Sequence, residues 1–285
     1  MEQLLLTAIE AAILAGRAIL EIYETDFVVE HKADDSPLTL ADRRSHQILV
    51  DHLASAQLPI LSEEGRDMPY DERKFWQTFW LLDPLDGTKE FVKRNGEFTV
   101  NIALIRDGRP VMGVIYVPVQ DVLYFGATDR GAYKLPQAAG RIGHPAETAA
   151  NRGEQLQTLC NASQQLPLPS DPTAPFTVVG SRSHSTPEVQ QIVDDLRRQH
   201  GKVELISAGS SLKICMVAEG RAQLYPRTGP TMEWDTAAGQ AVAEAAGARL
   251  VVFDTEDPLR YNRENLRNPW FVVKSVVMDG LPEGS

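Results

Sequence analysis

The apolar run Phe79 to Leu82 ends abruptly at Asp83-Pro84-Leu85-Asp86-Gly87-Thr88, and no other stretch constrains the fold so tightly. A short, continuously apolar segment closed by Pro and Gly reads as a buried strand. Pro84 removes a ladder donor and Gly87 permits a tight turn, so Asp83 and Asp86 are expected to project together from a strand end where the sheet stops. Two carboxylates so placed repel each other unless a cation sits between them. Mg²⁺ favours such oxygen ligands, and a backbone carbonyl such as that of Leu85 can complete the shell. The competing reading is a solvated acidic turn that caps the next helix.

Other acidic positions fall at comparable places. Ser62-Glu63-Glu64-Gly65 follows the apolar segment Leu58 to Leu61, and Asp42 lies just after Thr39. Asp235 precedes the Ala-rich helix predicted over Thr236 to Ala246, where an aspartate is also an ordinary helix cap.

Around these points the chain changes character twice. Leu5, Ile9, Ala12, Ile13, Gly16 and Ile19 recur at helical spacing, as do Ile48, Leu49 and Leu53 within Ala41 to Leu53. A short strand is expected at Phe27 to Val29 and a polar loop over Lys32 to Pro37. From Phe98 onward, apolar runs separated by Asp107-Gly108, Gln120-Asp121 and Asp129-Arg130-Gly131 predict an antiparallel meander. Residues 136 to 175 are rich in Ala, Gln, Pro and Gly, which places a domain junction and a poorly structured excursion there. Beyond them, strands and helices alternate as in an α/β layer: strands at Phe176 to Val179, Val203 to Ile206, Ala222 to Tyr225, Arg249 to Phe253 and Phe271 to Lys274, and helices at Pro187 to Gln199 and Leu212 to Glu219. The expected division is an N-terminal α+β domain over 1–135, with most of the acidic positions, and a C-terminal α/β domain over 136–285, with Asp235.

Charge and cysteine content exclude several functions. With 39 acidic and 28 basic residues the net charge is -11, which disfavours non-specific nucleic-acid binding. An acidic protein that handles an anionic substrate needs cations to reverse the local sign, and divalent metals supply it. Cys160 and Cys215 lack C-x-x-C spacing, so neither a disulfide framework nor a zinc site is indicated and a reducing cytoplasm fits. No apolar run approaches the ~20 residues of a membrane span.

The segments HKADDSPLTLAD (31–42), LSEEG (61–65), WLLDPLDGTKEF (80–91) and EWDTAAG (233–239) resemble, in order, the signature blocks of the lithium-sensitive, metal-dependent sugar-phosphatase superfamily that includes inositol monophosphatases. Within it, residues 87–105 and 209–239 are similar to the CysQ-type 3'(2'),5'-bisphosphate nucleotidases. An inositol monophosphatase more typically has a GTTNF-like sequence at Gly87 to Phe91. The resemblance implies a two-domain layered α-β-α-β-α sandwich of mixed α+β and α/β character, with its site in the cleft. It implies removal of the 3'-phosphate from 3'-phosphoadenosine 5'-phosphate, with the phosphosulfate relative as a further substrate. Two Mg²⁺ ions are expected, with a third allowed, together with inhibition by Li⁺.

By the same resemblance, Glu63, Asp83 and the Leu85 carbonyl hold one Mg²⁺, and Asp83, Asp86 and Asp235 hold the second. Asp42 and Thr88 orient and deprotonate the attacking water, and the Gly87 and Thr88 amides hold phosphate oxygens. Ser210, Lys213, Arg227 and His184 contact the 5'-phosphate or the nucleoside. The partner implied is a small bisphosphate nucleotide, not nucleic acid, and the location is cytoplasmic, with peripheral association on the cytoplasmic face of the inner membrane allowed. Homo-oligomerisation is left open.

Other motifs carry less. Gly126 and Gly131 have the outer spacing of a P-loop, but Ala132-Tyr133 stand where Lys and Ser/Thr are required. Ser181, Ser183 and His184 lack the G-x-S-x-G elbow of a hydrolase serine. The D-x-D spacing of aspartyl-phosphate phosphatases is missing, since two residues separate Asp83 from Asp86. An inositol or sugar monophosphatase and a non-catalytic nucleotide sensor remain as alternatives.

Overall fold

Leu5, Ile9, Ala12, Ile13 and Ile19 are all buried, so the predicted stripe is the inner face of α1 (Glu2–Tyr23). The computed structural model describes residues 1–25, 29–31, 37–142, 152–171, 173–181, 186–253 and 255–276. β1 (Val29–His31) and β2 (Pro37–Thr39) form an antiparallel pair that begins two residues after the start of the expected Phe27 to Val29, while residues 27 and 28 and most of the expected loop over 32–37 lie outside the described residues. α2 (Leu40–Leu53) follows and packs on α1.

β3 (Ile60–Ser62), the one-turn α3 (Tyr70–Arg73), β4 (Thr78–Asp86) and α4 (Thr88–Val92) lead into the predicted meander. Its strands are β5 (Thr99–Arg106), β6 (Arg109–Val117), β7 (Val122–Ala127) and β8 (Gly131–Pro136), each antiparallel to the last. Away from its bulges, side chains alternate across this sheet. Trp80, Leu82, Val100, Ile102, Leu104 and Val114 face the core under α1 and α2, whereas Phe79, Leu81, Ala103, Ile105 and Ile115 face the opposite core. Both faces are covered, so the strands read as unbroken apolar runs.

Residues 136–175 depart from expectation. α5 (Arg152–Ala162) buries Leu156, Leu159 and Cys160 in the core beneath α1. β9 (Gln164–Leu166) then pairs with β8 and completes the first sheet, ordered β3-β4-β5-β6-β7-β8-β9. The first sheet therefore keeps the chain through Leu166, beyond residue 136, where the second domain was expected to begin. Polar composition hid a helix whose three buried side chains suffice because α1 shields them.

The second sheet contains β10 (Phe176–Ser181), β11 (Val203–Ala208), β12 (Leu224–Arg227), β13 (Arg249–Val252) and β14 (Phe271–Lys274), in the order β11-β10-β12-β14-β13. β10, β11 and β12 are parallel, and β14 runs antiparallel to β12 and β13. α6 (Pro187–His200) covers its outer face through Val193 and Leu196 against Val178, Leu224 and Val272. Between the sheets lie α7 (Leu212–Ala218) and α8 (Glu233–Ala245), which contribute to one core with Phe79 and Leu81 on one side and Val179, Tyr225 and Val273 on the other. The result is the expected α-β-α-β-α stack, with a central core shared by both halves.

The Ala and Gly content of α8 has a steric cause. A Cβ at Gly113 on β6 would lie 2.2 Å from the Ala238 carbonyl oxygen, so helix and sheet meet backbone to backbone. α7 is pinned to the first sheet by its buried follower Glu219, which accepts the Tyr124 hydroxyl and pairs with Lys134 Nζ at 2.7 Å. Among the described residues no helix is long and apolar enough to cross a membrane.

Candidate metal and phosphate site

β4 does not stop at Asp83 as expected. It pairs with β5 through Asp83↔Asn101 and resumes at Asp86↔Thr99, so three steps along β4 match two along β5. This one-residue bulge has a function. In a regular strand, residues three apart point to opposite faces, and the inserted residue cancels that offset so that both carboxylates turn the same way. Pro84, with no N–H to leave unpaired, occupies the bulge, and its carbonyl accepts Ser45 Oγ of α2 at 2.7 Å.

The third carboxylate comes from the other half of the chain. α8 begins at Glu233, three residues before the predicted start, so Asp235 lies in its first turn, where Oδ2 accepts the Met232 N–H at 2.8 Å. The cap and the site are thus the same residue. One carboxylate oxygen each from Asp83, Asp86 and Asp235 lie within 4.8 Å of one another. Burial, then the charges of Glu63, Asp86, Asp235 and Asp42, push the Asp83 carboxyl well above its ordinary range. Burial and the nearby Asp86 charge raise Asp235 to about 8, against the pull of its Met232 hydrogen bond. Acids crowded and desolvated in this way are stabilised as carboxylates by a hard cation among them, and an all-oxygen set suits Mg²⁺.

The remaining predicted residues surround this cluster. Glu63 directly follows β3, and its N–H bonds the Leu82 carbonyl at 3.2 Å, extending the β3–β4 pairing. Its charge reaches both Asp83 and Asp235. Asp42, 1% exposed, sits in the first turn of α2. The Thr88 hydroxyl is 3.4 Å from Asp42 Oδ2 and 3.4 Å from the Leu85 carbonyl, so it touches both residues expected beside the nucleophile and the ion. Gly87 carries φ 94°, a left-handed conformation that admits the turn from β4 into α4.

A cavity of about 470 Å³ opens from Asp86, Gly87 and Asp235 toward Ser210, Lys213 and Arg227. Lys213 is not a surface residue. It is 6% exposed, with its ammonium donating to the Ser210 carbonyl at 2.6 Å and lying 5.6 Å from the Tyr225 ring centroid. Burial lowers its pKa to about 8, partly countered by the charge of Asp86. Arg227 Nη2 donates to the Pro230 carbonyl at 3.1 Å, while its buried Nε and the Ser210 hydroxyl have no hydrogen-bond partner among the described residues. Ser210 holds φ 43°, a strained conformation for a residue with a Cβ. His184 lies outside the described residues.

The sequence reading did not single out Lys89 of α4 or Lys93 just after it, which line the cavity. Their i, i+4 spacing beside Asp86 was the available signal.

The chain belongs to the inositol monophosphatase family, whose profile matches residues 1–276. It is 44% identical over 265 residues to the 3'(2'),5'-bisphosphate nucleotidase CysQ of Escherichia coli, covering 91% of this chain and 94% of that protein. The crystal structure of CysQ from Bacteroides thetaiotaomicron superimposes with a TM-score of 0.86 at 50% identity, over 97% of this chain and 98% of that one. The suhB protein of Bartonella henselae shares the fold, with a TM-score of 0.68 at 22% identity, over 96% of this chain and 94% of that one.

Proposed function

We propose that this protein is a Mg²⁺-dependent 3'(2'),5'-bisphosphate nucleotidase that hydrolyses 3'-phosphoadenosine 5'-phosphate to AMP and phosphate, with the corresponding phosphosulfate as a second substrate. The observation that carries this reading is a single cavity lined both by Asp86 and Asp235, which cluster with Asp83, and by Lys213 and Arg227. One end suits cations that grip a phosphomonoester, and the other suits a second anionic group on the same molecule. The Escherichia coli CysQ relative carries the matching activity in its name.

In this reading Glu63, Asp83, the Leu85 carbonyl, Asp86 and Asp235 hold Mg²⁺, two ions with a third allowed. Bound there, Mg²⁺ supplies Lewis-acid neutralisation of phosphoryl charge and lowers the pKa of water. The Thr88 hydroxyl, beside Asp42 Oδ2, orients the attacking water, and Asp42 takes its proton as the new O–P bond forms and the P–O3' bond breaks, the departing 3'-oxygen taking a proton from solvent water. The Gly87 and Thr88 amides hold phosphoryl oxygens. Ser210, Lys213, Arg227 and His184 fix the 5'-phosphate or nucleoside. Sensitivity to Li⁺ follows, because a small monovalent cation can enter an oxygen site without bringing the second charge.

An inositol or sugar monophosphate would leave the Lys213 and Arg227 end without an anion. Phosphate release from 3'-phosphoadenosine 5'-phosphate, inositol 1-phosphate and fructose 1,6-bisphosphate, each with Mg²⁺ and with chelator, decides between them. The nucleotide is expected to be turned over fastest, and only with Mg²⁺. Comparable rates on inositol 1-phosphate would replace this reading.

A further inference from the structure

Asn101 stands in the middle of the apolar strand β5, and Ser211 immediately precedes α7. They come from different sheets' territories, yet Asn101 Nδ2 donates to Ser211 Oγ at 2.8 Å. Ser211 Oγ in turn donates to Asp86 Oδ2 at 2.8 Å and lies 3.1 Å from the Asp235 backbone carbonyl. One hydroxyl therefore touches both a β4 residue and an α8 residue of the carboxylate cluster. The three polar side chains of this chain of bonds are almost sealed, with Thr99 at 0%, Asn101 at 1% and Ser211 at 2% exposure.

A carboxylate accepts only, so the amide edge that reaches Asp86 is the NH₂, and that edge also faces Ser211, while Asn101 Oδ1 accepts Thr99 Oγ1 at 3.0 Å. That NH₂ occupies a Ser211 lone pair, and the single Ser211 proton is shared between Asp86 Oδ2 and the Asp235 carbonyl as a three-centre bond. Asn101 Nδ2 also reaches the same Asp86 oxygen at 3.3 Å. Asp86 Oδ2 is thus held by protein donors, and Oδ1 is the oxygen that carries no protein hydrogen bond among the described residues.

We propose that Ser211 and Asn101 are positioning residues that lock Asp86 against the start of α8, holding the Asp86 and Asp235 carboxylates at the separation a divalent cation requires. This rests on the metal-dependent reading above. Two carboxylates carried by separate layers would otherwise relax apart under their own repulsion, and a hydroxyl bonded to the Asp86 carboxylate and to the backbone carbonyl of Asp235 opposes that motion. Hydrogen-bond partners of ligating carboxylates commonly set metal affinity by 10- to 100-fold.

Titration calorimetry of Mg²⁺ into the chelator-treated full chain tests this, alongside thermal unfolding in chelator. Ser211→Ala is expected to weaken Mg²⁺ binding about tenfold or more while shifting the metal-free melting temperature little, and to restore much of kcat at saturating Mg²⁺. Asn101→Ala is expected to weaken Mg²⁺ binding in the same direction, and the double variant to lose less than the sum, because both act through one oxygen. Unchanged Mg²⁺ affinity in Ser211→Ala, with or without a lowered melting temperature, overturns the proposal and leaves the metal-dependent reading intact. Failure of the unmodified protein to bind Mg²⁺ overturns both.

Discussion

The carboxylate of Glu233, 0% exposed, is closed off by Arg263, which donates to Glu233 Oε1 both from its backbone N–H at 3.0 Å and from Nε at 3.1 Å. Asn262 N–H completes the enclosure at 2.7 Å on Oε2. The same loop is gripped from α3, where Arg73 Nη1 donates to the Arg263 carbonyl at 2.7 Å and to Asn262 Oδ1 at 2.9 Å. The first turn of α8, and with it Asp235, is therefore set by contacts some thirty residues downstream and far upstream in sequence.

Removing the guanidinium from this enclosure leaves a buried acid short of a partner. Arg263→Ala is expected to cost about 3 kcal/mol of unfolding free energy, since breaking one side of a buried pair strands the other. Urea denaturation at neutral pH measures it. Adding Glu233→Gln should recover part of the loss by removing the stranded charge, and the absence of any recovery would show that Arg263 acts through packing.

Asp83 is expected to be indispensable for turnover. Asp83→Asn keeps the shape of the bulge but removes a charge from the centre of the cluster, and should reduce kcat about a hundredfold or more, several kcal/mol of transition-state stabilisation. Chelator should abolish the activity of the unmodified protein to a similar degree. Normal turnover by the variant under Mg²⁺ would remove Asp83 from the ligand set.

Lys213 is expected to make substrate capture pH-dependent. With its folded pKa near 8, below the ordinary lysine value, kcat/KM for the bisphosphate nucleotide should fall as pH rises through about 8 and the ammonium loses its proton. A bound phosphate favours the charged form, so the corresponding limb in kcat should lie at higher pH. The stability linkage has the opposite sign: between pH 8 and the unfolded value the unfolded chain holds more protons, so this group's burial penalty diminishes as pH rises. Profiles of kcat/KM for the unmodified protein and for Lys213→Met separate this group from the rest, and persistence of the same limb in the variant would assign it elsewhere.

Arg227→Ala should raise KM for 3'-phosphoadenosine 5'-phosphate about tenfold or more, the loss of a charge-assisted hydrogen bond being worth about 1.5 to 3 kcal/mol. A small monophosphate that cannot reach the Lys213 and Arg227 end should be hydrolysed nearly as before. Equal losses on both substrates would mean that Arg227 supports the site instead of reading the nucleotide.

Gly113→Ala tests the contact between α8 and the first sheet. An added methyl would meet the Ala238 carbonyl oxygen at 2.2 Å, so the helix carrying Asp235 must shift. Overpacking of this kind costs about 1–3 kcal/mol or more, visible as a lower denaturation midpoint, and Mg²⁺ affinity should fall with it. A variant as stable as the parent would contradict the close approach.

Local chemistry in the chain was enough to mark where each carboxylate sits. Asp83 and Asp86 follow a buried apolar run, Glu63 follows another, and Asp235 opens an Ala-rich helix, because strand ends and helix starts have their own residue preferences. The same local rules recovered the meander and the alternating second half. They anticipated that Asp83 and Asp86 project together but not how, since the strand continues through a bulge whose register against β5 is a pairing between separate segments. Nor could they show that α5 and β9 close the first sheet, because a weakly apolar helix is stabilised only by the α1 surface it covers. The roles of Thr99, Asn101 and Ser211 were equally hidden. A buried polar side chain is legible only when its partner is known, and here the partner lies 110 residues away, brought into contact by the packing of one sheet over the other.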